Sequence, residues 1–132
     1  MKLKNKIVLA SVFLSALSVS IQANASIEDE LANICNVVKA NDKGELRKKI
    51  KKVQNDYNLR LGDYYDGISC DGNSLIRTAI LNEAVDAGEL LVKKMPRKKL
   101  REPEQDGVEL VAWIETNGLA GNPIAVIVSE RL

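Results

Sequence analysis

The strongest structural signals of this chain lie at residues 66–96, DGISCDGNSLIRTAILNEAVDAGELLVKKMP. This stretch places Cys70 between two Asp-Gly pairs, which are typical of tight turns. Two amphipathic segments follow. Asn73 or Ser74 is placed to cap the first, and Pro96 ends the second because proline cannot continue a helix. The pattern predicts a hairpin of two helices whose inward faces carry Leu75, Ile76, Ala79, Leu90 and Leu91.

Individual side chains of this hairpin are expected to differ in importance. Asp86 is placed to cap the second helix. Leu91→Ala is expected to cost about 2–5 kcal/mol, since it would leave a cavity in the core. Arg77 is interpreted as a surface residue, so Arg77→Ala is expected to change stability by no more than about 0.5 kcal/mol. The spacing from Gly72 to Leu91 also resembles a single ankyrin repeat, without the tandem copies of a repeat protein.

Two more helices are predicted on the N-terminal side of the hairpin. Residues 26–40 carry apolar side chains at helical spacing behind Ser26, a good N-cap, and Cys35 shares the apolar face. Asp42 is placed to cap the next helix, which Gly62 is expected to end.

The C-terminal side holds a polar, exposed connection at 96–107 and a third pair of elements at 108–131. Asn117-Gly118 is a common helix stop, and Asn122-Pro123 a common helix start. The sequence therefore predicts an all-α fold, a small disulfide-linked bundle of helical hairpins. Because residues 124–128, IAVIV, are rich in β-branched side chains, an α+β fold with a C-terminal β-hairpin is the alternative.

The first 25 residues have the three regions of a signal peptide. Three lysines precede an apolar run at 7–21, and Ala23-Asn24-Ala25 gives a small-x-small cleavage pattern. The apolar run is shorter than the ~20 residues that a membrane-spanning helix needs. We therefore expect residues 1–25 to be cleaved, no transmembrane segment to remain, and residues 26–132 to form a single periplasmic or secreted domain.

The charge of the mature chain is nearly balanced. Removing Lys2, Lys4 and Lys6 from the 19 basic residues leaves 16 against 18 acidic residues, a formal charge of −2. This balance gives no overall attraction to nucleic acid, so no nucleic-acid partner is expected.

The two cysteines of the sequence, Cys35 and Cys70, both lie in the predicted mature chain. An exported protein meets an oxidising compartment, where two cysteines usually pair. They lack the Cys-x-x-Cys spacing of a redox motif. A structural disulfide is therefore predicted between them.

The motif DGISCDGNSLIR at 66–77, together with Cys35 and Asn41-Asp42-Lys43, resembles an uncharacterised family of short exported bacterial proteins. That family is catalogued as a domain of unknown function, and the resemblance covers roughly residues 33–95. It implies a small, disulfide-linked periplasmic domain and transfers no activity.

The residues needed for most enzyme chemistry are missing from this sequence. It contains no histidine, the commonest general base near neutral pH and the commonest metal ligand. It also lacks a glycine-rich phosphate loop. We therefore expect no enzymatic activity, no metal site and no cofactor.

Two binding functions remain from the sequence. The first is a periplasmic protein-interaction module that contacts another envelope protein through Tyr64, Tyr65, Asp66 and Arg77. The second is a binder of an anionic lipid or polysaccharide, for which the candidate residues are Lys48, Lys49, Lys52, Arg97, Lys98 and Lys99. The salt dependence of binding distinguishes the two functions, because electrostatic binding weakens as ionic strength rises.

Overall fold

Helices and short turns make up the fold of residues 26–132, the part of the chain that the computed structural model describes. The helices are α1 (Ile27–Glu30), α2 (Ile34–Lys39), α3 (Lys43–Tyr57), α4 (Leu61–Tyr64), α5 (Leu75–Leu81), α6 (Val85–Lys94), α7 (Arg97–Leu100), α8 (Leu110–Thr116) and α9 (Pro123–Arg131). A 3₁₀ turn at Tyr65–Gly67 follows α4. The prediction of an all-α fold is confirmed. The alternative C-terminal β-hairpin is not supported, because 110–116 and 123–131 are helical. The predicted signal peptide at 1–25 lies outside the described residues.

Four predicted helix caps form as the sequence indicates. The Asp42 carboxylate accepts a hydrogen bond from the Glu45 backbone N–H at 3.1 Å, which starts α3. The Ser26 hydroxyl accepts a hydrogen bond from the Asp29 backbone N–H at 3.2 Å. The Ser74 hydroxyl accepts from the Arg77 N–H at 3.3 Å, which starts α5. The Asn122 side chain accepts from the Ile124 N–H at 2.8 Å, with Pro123 in the first helical position. These bonds satisfy backbone donors that have no partner within the helix itself.

Other helix boundaries differ from the prediction because asparagine tolerates left-handed backbone. Asn33, at φ 66°, divides the predicted 26–40 helix into α1 and α2. Asn58, at φ 57°, ends α3 well before Gly62.

Asp86 is not the cap of α6, which starts after Ala84. Instead, Asn41 caps this helix from a distant loop, since its side-chain oxygen accepts from the Ala87 N–H at 2.9 Å.

The core forms where α5 and α6 pack as the predicted hairpin and α9 covers α6. On the other side, α2 packs against both α3 and α5. The five inward positions predicted for the hairpin are all buried, and Leu91 has no exposed surface. Gly88 allows the close approach of α6 and α9, because a Cβ there would lie 2.5 Å from Cδ1 of Ile124.

The predicted disulfide between Cys35 and Cys70 is present, with the two Cα atoms 5.6 Å apart. It links α2 to a tight turn in which Cys70 and Asn73 exchange both backbone hydrogen bonds. Asp71 and Gly72, between them, both have positive φ, as in a type I′ turn. In the chain-entropy treatment, closing a loop of this length stabilises the fold by roughly 4 kcal/mol.

The connection at 96–107 is less simple than the exposed segment that the sequence predicts. It contains the short helix α7, whose Leu100 is buried in the core. Further on, the Glu104 side chain is only 8% exposed. Most of the remaining residues are exposed. This segment therefore contributes buried side chains that pack on the hairpin.

Candidate functional site

Arg77 is buried, so the prediction that it is a surface residue is wrong. Its side chain is 4% exposed, because almost the whole of α5 is covered by neighbouring parts of the chain. Its Nε lies 2.6 Å from Oε1 of Glu104, an ion pair without the alignment of a hydrogen bond. Its Nη1 donates to Oδ2 of Asp106 at 2.7 Å. Both carboxylates come from the connection before α8.

Further contacts complete the surroundings of the guanidinium. Nη2 donates to Oδ1 of Asp106 and to the Val108 carbonyl oxygen, both at 3.1 Å, so the Asp106 contact is bidentate. The guanidinium carbon also lies 5.0 Å from the centre of the Trp113 ring, within cation–π distance. Burial alone would lower the pKa of Arg77. The bond to Asp106 and the charge of Glu104 outweigh it, so the pKa is raised and the guanidinium is charged.

Glu104 is held by two hydroxyl groups as well. Its Oε2 accepts from the Tyr65 hydroxyl at 2.8 Å, and its Oε1 accepts from the Ser74 hydroxyl at 3.0 Å. The Tyr65 oxygen in turn accepts from the Ile76 N–H at 3.4 Å. We call Tyr65, Ser74, Arg77, Glu104 and Asp106 the Arg77 cluster.

The pKa values of the two carboxylates in the Arg77 cluster are shifted in opposite directions. Burial raises the pKa of Glu104, although the bond from Tyr65 and the charge of Arg77 oppose that shift. The bond from Arg77 lowers the pKa of Asp106, which is more exposed. Burial and the nearby Glu104 charge raise the pKa of Tyr65 well above its usual value.

The Arg77 cluster is closed to substrates. The free space lined by Arg77, Glu104, Asp106 and their neighbours is about 10 Å³. That volume holds about one water molecule. Shifted pKa values are common in catalytic sites, but structural ion-pair networks produce them too. This cluster therefore acts as a clasp that fastens the 101–109 segment onto α5.

The predicted partner-binding residues do not form an accessible surface. Tyr64, Tyr65 and Arg77 are all buried. Asp66 is exposed and accepts from Lys99 Nζ at 2.7 Å. The Tyr64 hydroxyl has no hydrogen-bond partner among the described residues, and burial raises its pKa to about 12.

The predicted anion-binding residues on α3 are partly neutralised. Lys52 pairs with Asp56 at 2.8 Å and with Glu30 at 3.6 Å. Lys49 donates to the Glu30 carbonyl oxygen at 3.4 Å. Lys48 forms no ion pair with another described residue, but it borders a space that Glu30 also lines. Carboxylates therefore weaken the positive field on this face.

The predicted anion-binding residues on α7 lie on a separate part of the surface. Lys99 pairs with Asp66 at 2.7 Å. The Arg97 side chain donates to the Arg131 carbonyl oxygen at 2.8 Å. Lys98 is exposed and forms no ion pair within residues 26–132. The structure thus does not bring the two predicted groups into one site.

A different basic site lies between α3 and the end of α6. Two adjoining spaces there have volumes of about 340 and 270 Å³ and share Ile50, Gln54 and Lys94. We call this site the basic groove; its other lining residues are Arg47, Lys51, Asn55, Arg60, Leu61 and Lys93. Its lining contains no aspartate or glutamate.

Most cations of the basic groove have no counter-charge. Arg47, Lys51, Arg60 and Lys94 are exposed and form no ion pair with any residue in the described range. Lys93 pairs with Glu89 at 2.9 Å. Unpaired cations lining one concave surface focus a positive field on it. The arrangement is suited to holding an anion.

The sequence carried part of the signal for the basic groove. Arg47, Lys51 and Gln54 recur at helical spacing, so they share one face of α3 beside Ile50. Arg60 and Lys94 reach the same place only through the fold, because α6 packs against both α3 and α4, and Arg60 directly precedes α4. That packing is tertiary, so sequence periodicity alone gives no indication of it.

Another space, of about 440 Å³, lies beside the disulfide. Its lining includes Leu31, Asn33, Ile68 and Ser69. Glu28 is its one charged lining residue. No concentration of charge there indicates a type of ligand.

None of the helices within residues 26–132 is both long enough and apolar enough to cross a membrane. In the same range, no group of three or more Cys, Asp or Glu side chains is arranged to hold a metal ion.

These features define a class: an all-α, single-disulfide domain with a closed charged cluster and an open basic groove. Residues 34–102, just over half of the chain, match the family described as protein of unknown function (DUF3718). The chain belongs to that family, which confirms the resemblance to a domain of unknown function. No curated protein and no solved structure matches the chain.

Proposed function

We propose that this chain is a non-enzymatic periplasmic module that binds an anionic component of the cell envelope through the basic groove. One observation carries the proposal. Arg47, Lys51, Arg60 and Lys94 line one concave surface that has no carboxylate and no ion-pair partner for them among the described residues. Exposed cations that no nearby carboxylate neutralises can attract an anionic ligand.

A binding role is favoured over catalysis by the state of the acidic groups. The carboxylates with shifted pKa values next to Arg77 are engaged with it and border a space of only about 10 Å³. A general acid or base must come within hydrogen-bond reach of its substrate. The basic groove, which is open, presents amides and cations instead.

A periplasmic location is supported by two features of the chain. Residues 1–25 have the pattern of a signal peptide. Disulfides such as Cys35–Cys70 form and persist mainly in oxidising compartments, including the bacterial periplasm.

Interaction with another envelope protein is less well supported. Of its four candidate contact residues, Tyr64, Tyr65 and Arg77 are buried. A protein partner of the basic groove would have to present acidic groups.

The test is sedimentation of the purified exported protein with lipid vesicles. Vesicles of phosphatidylcholine with phosphatidylglycerol should bind it, and vesicles of phosphatidylcholine alone should not. Binding should weaken as salt rises, since the screening length falls from about 30 Å at 0.01 M to about 8 Å at 0.15 M. The double variant Lys51→Gln, Lys94→Gln should lose binding.

A matched control separates the basic groove from overall charge. The double variant Lys48→Gln, Lys98→Gln removes the same charge from exposed positions outside the groove, and it should bind like the unchanged protein. Equal losses in both variants would contradict the proposal. Absence of vesicle binding, with salt-resistant capture of an envelope protein, would replace it with the protein-interaction function.

A further inference from the structure

We infer that the basic groove is a two-part site for a compact ligand bearing two phosphate groups on a hydroxyl-rich framework, the chemistry of a phosphorylated sugar. The inference rests on the proposed function and specifies its ligand. It is drawn from the division of the groove, the placement of its cations and the uncharged side chains between them.

The groove has two compartments, each with its own cations. Arg47 and Lys51 line only the first, Arg60 lines only the second, and Lys94 lines both. A helix rises about 1.5 Å per residue, so Arg47, at one end, lies roughly 10 Å along α3 from Gln54, which borders both compartments. Two anionic groups on one ligand can therefore lie at opposite ends, with Lys94 between them.

The types of cation suit phosphate. Each compartment has an arginine, Arg47 in one and Arg60 in the other. A guanidinium presents a planar fork of donors that matches two phosphate oxygens. The ammonium of Lys94 is a compact point charge with rotatable donors, so it can contact either phosphate.

The uncharged lining of the groove suits a polar framework rather than a lipid chain. Gln54 and Asn55 supply amide donors and acceptors of the kind that pair with sugar hydroxyls. Ile50 and Leu61 are 3% and 1% exposed, so they close the floor and offer almost no apolar surface to a ligand. Taken together, the two compartments reach the roughly 300–1,000 Å³ typical of small-molecule sites.

The test is calorimetric titration of the exported protein with fructose bisphosphate, fructose monophosphate and inorganic phosphate at one ionic strength. The bisphosphate should bind about tenfold more tightly than the monophosphate, which corresponds to about 1.4 kcal/mol. Arg60→Gln, a change in the second compartment alone, should remove most of that difference. Lys98→Gln, an equal change of charge outside the groove, should keep it. Thermal melting of both variants should match the unchanged protein.

The outcomes separate this inference from the proposed function. Equal affinity for the bisphosphate and the monophosphate would overturn the inference. If phosphatidylglycerol vesicles bind through Lys51 and Lys94 but fructose bisphosphate does not bind, the inference fails and the proposed function stands. If neither ligand binds, both fail.

A further arm identifies the source of the ligand. Vesicles carrying a bisphosphorylated glycolipid are compared with free fructose bisphosphate. Tighter binding to the vesicles supports the inference with a membrane head group as the ligand. Equal or tighter binding of the free sugar supports it with a soluble ligand.

Discussion

The Arg77 cluster and the basic groove use the same kinds of residue to opposite effect. Arg77 is almost completely buried, and two carboxylates, a carbonyl oxygen and an aromatic ring surround it. The arginines and lysines of the groove are exposed, and most lack a counter-charge within residues 26–132. A buried charge is costly unless it is paired, whereas an exposed one needs no partner. The surroundings of each cation, rather than its residue type, therefore decide between a structural and a binding role.

The largest expected effect is on Arg77. Arg77→Ala should lower the free energy of unfolding by about 3–5 kcal/mol, because it leaves Glu104 buried without its cation. Urea denaturation measures this. Arg60→Ala, the matched change in the basic groove, should stay within about 0.5 kcal/mol. Similar costs for the two variants would remove the distinction between the two regions.

Tyr64 and Tyr65 are adjacent buried tyrosines whose hydroxyl groups should contribute differently to stability. Tyr65→Phe removes a hydrogen bond to the Glu104 carboxylate and should cost about 1.5–3 kcal/mol. Tyr64→Phe removes a buried hydroxyl that has no partner among the described residues, so its stability should be unchanged or slightly higher. Chemical denaturation of both variants measures the difference, and a larger cost for Tyr64→Phe would contradict it.

The same Tyr64 variant should also change the response to alkali. Burial raises the pKa of Tyr64 from 10.0 to about 12, so the folded protein keeps a proton that the unfolded chain has lost. The stability linked to this group is present below about pH 10 and is lost as pH rises towards about 12. Tyr64→Phe should therefore show a shallower loss of stability over that range in denaturation experiments. Identical slopes would show that the hydroxyl is solvated.

Asp106, at the exposed edge of the Arg77 cluster, should control part of the response to acid. The hydrogen bond from Arg77 lowers its pKa below the usual 3.8. The stability linked to Asp106 is thus present above about pH 3.8 and is lost as pH falls through the lowered value. Asp106→Asn should flatten the decline of unfolding free energy in this acidic range. Glu115→Gln, which removes an exposed carboxylate on α8, should not, and equal effects would contradict the assignment.

The smallest expected effect on stability belongs to the basic groove. Lys51→Gln with Lys94→Gln should change the free energy of unfolding by no more than about 0.5 kcal/mol, since exposed side chains without partners contribute little. Thermal melting checks this, alongside the vesicle binding that the same variant should lose. A large drop in melting temperature would place these lysines in the structural framework.

The helical hairpins were predictable because their signals are local. Ser74 and Asn122 cap their helices through backbone groups two or three residues away, and apolar periodicity placed Leu91 in the core. The break at Asn33 was missed, because a left-handed residue interrupts the backbone without interrupting the apolar spacing. Asn41 caps α6 across a long stretch of chain, which no local pattern reveals.

The candidate sites were less predictable because charge pairing is tertiary. Arg77 follows an apolar pair on α5, and nothing local shows that Glu104 and Asp106 fold over it. For the same reason Lys52 resembled a free cation, although Asp56 and Glu30 partly neutralise it. The sequence indicated a basic helix correctly. Which face of that helix keeps unpaired cations depends on where the carboxylates lie in the folded chain.

The position of the Arg77 cluster limits how far the chain can be shortened from its C-terminal end. The segment by which the family is recognised, residues 34–102, stops just before Glu104. A protein cut there would keep Arg77 and lose Glu104, Asp106 and Trp113 together. The cut would also remove α9, so it would expose both the guanidinium of Arg77 and the face of α6 that α9 covers. We therefore expect residues 34–102 alone to be less stable than residues 26–132.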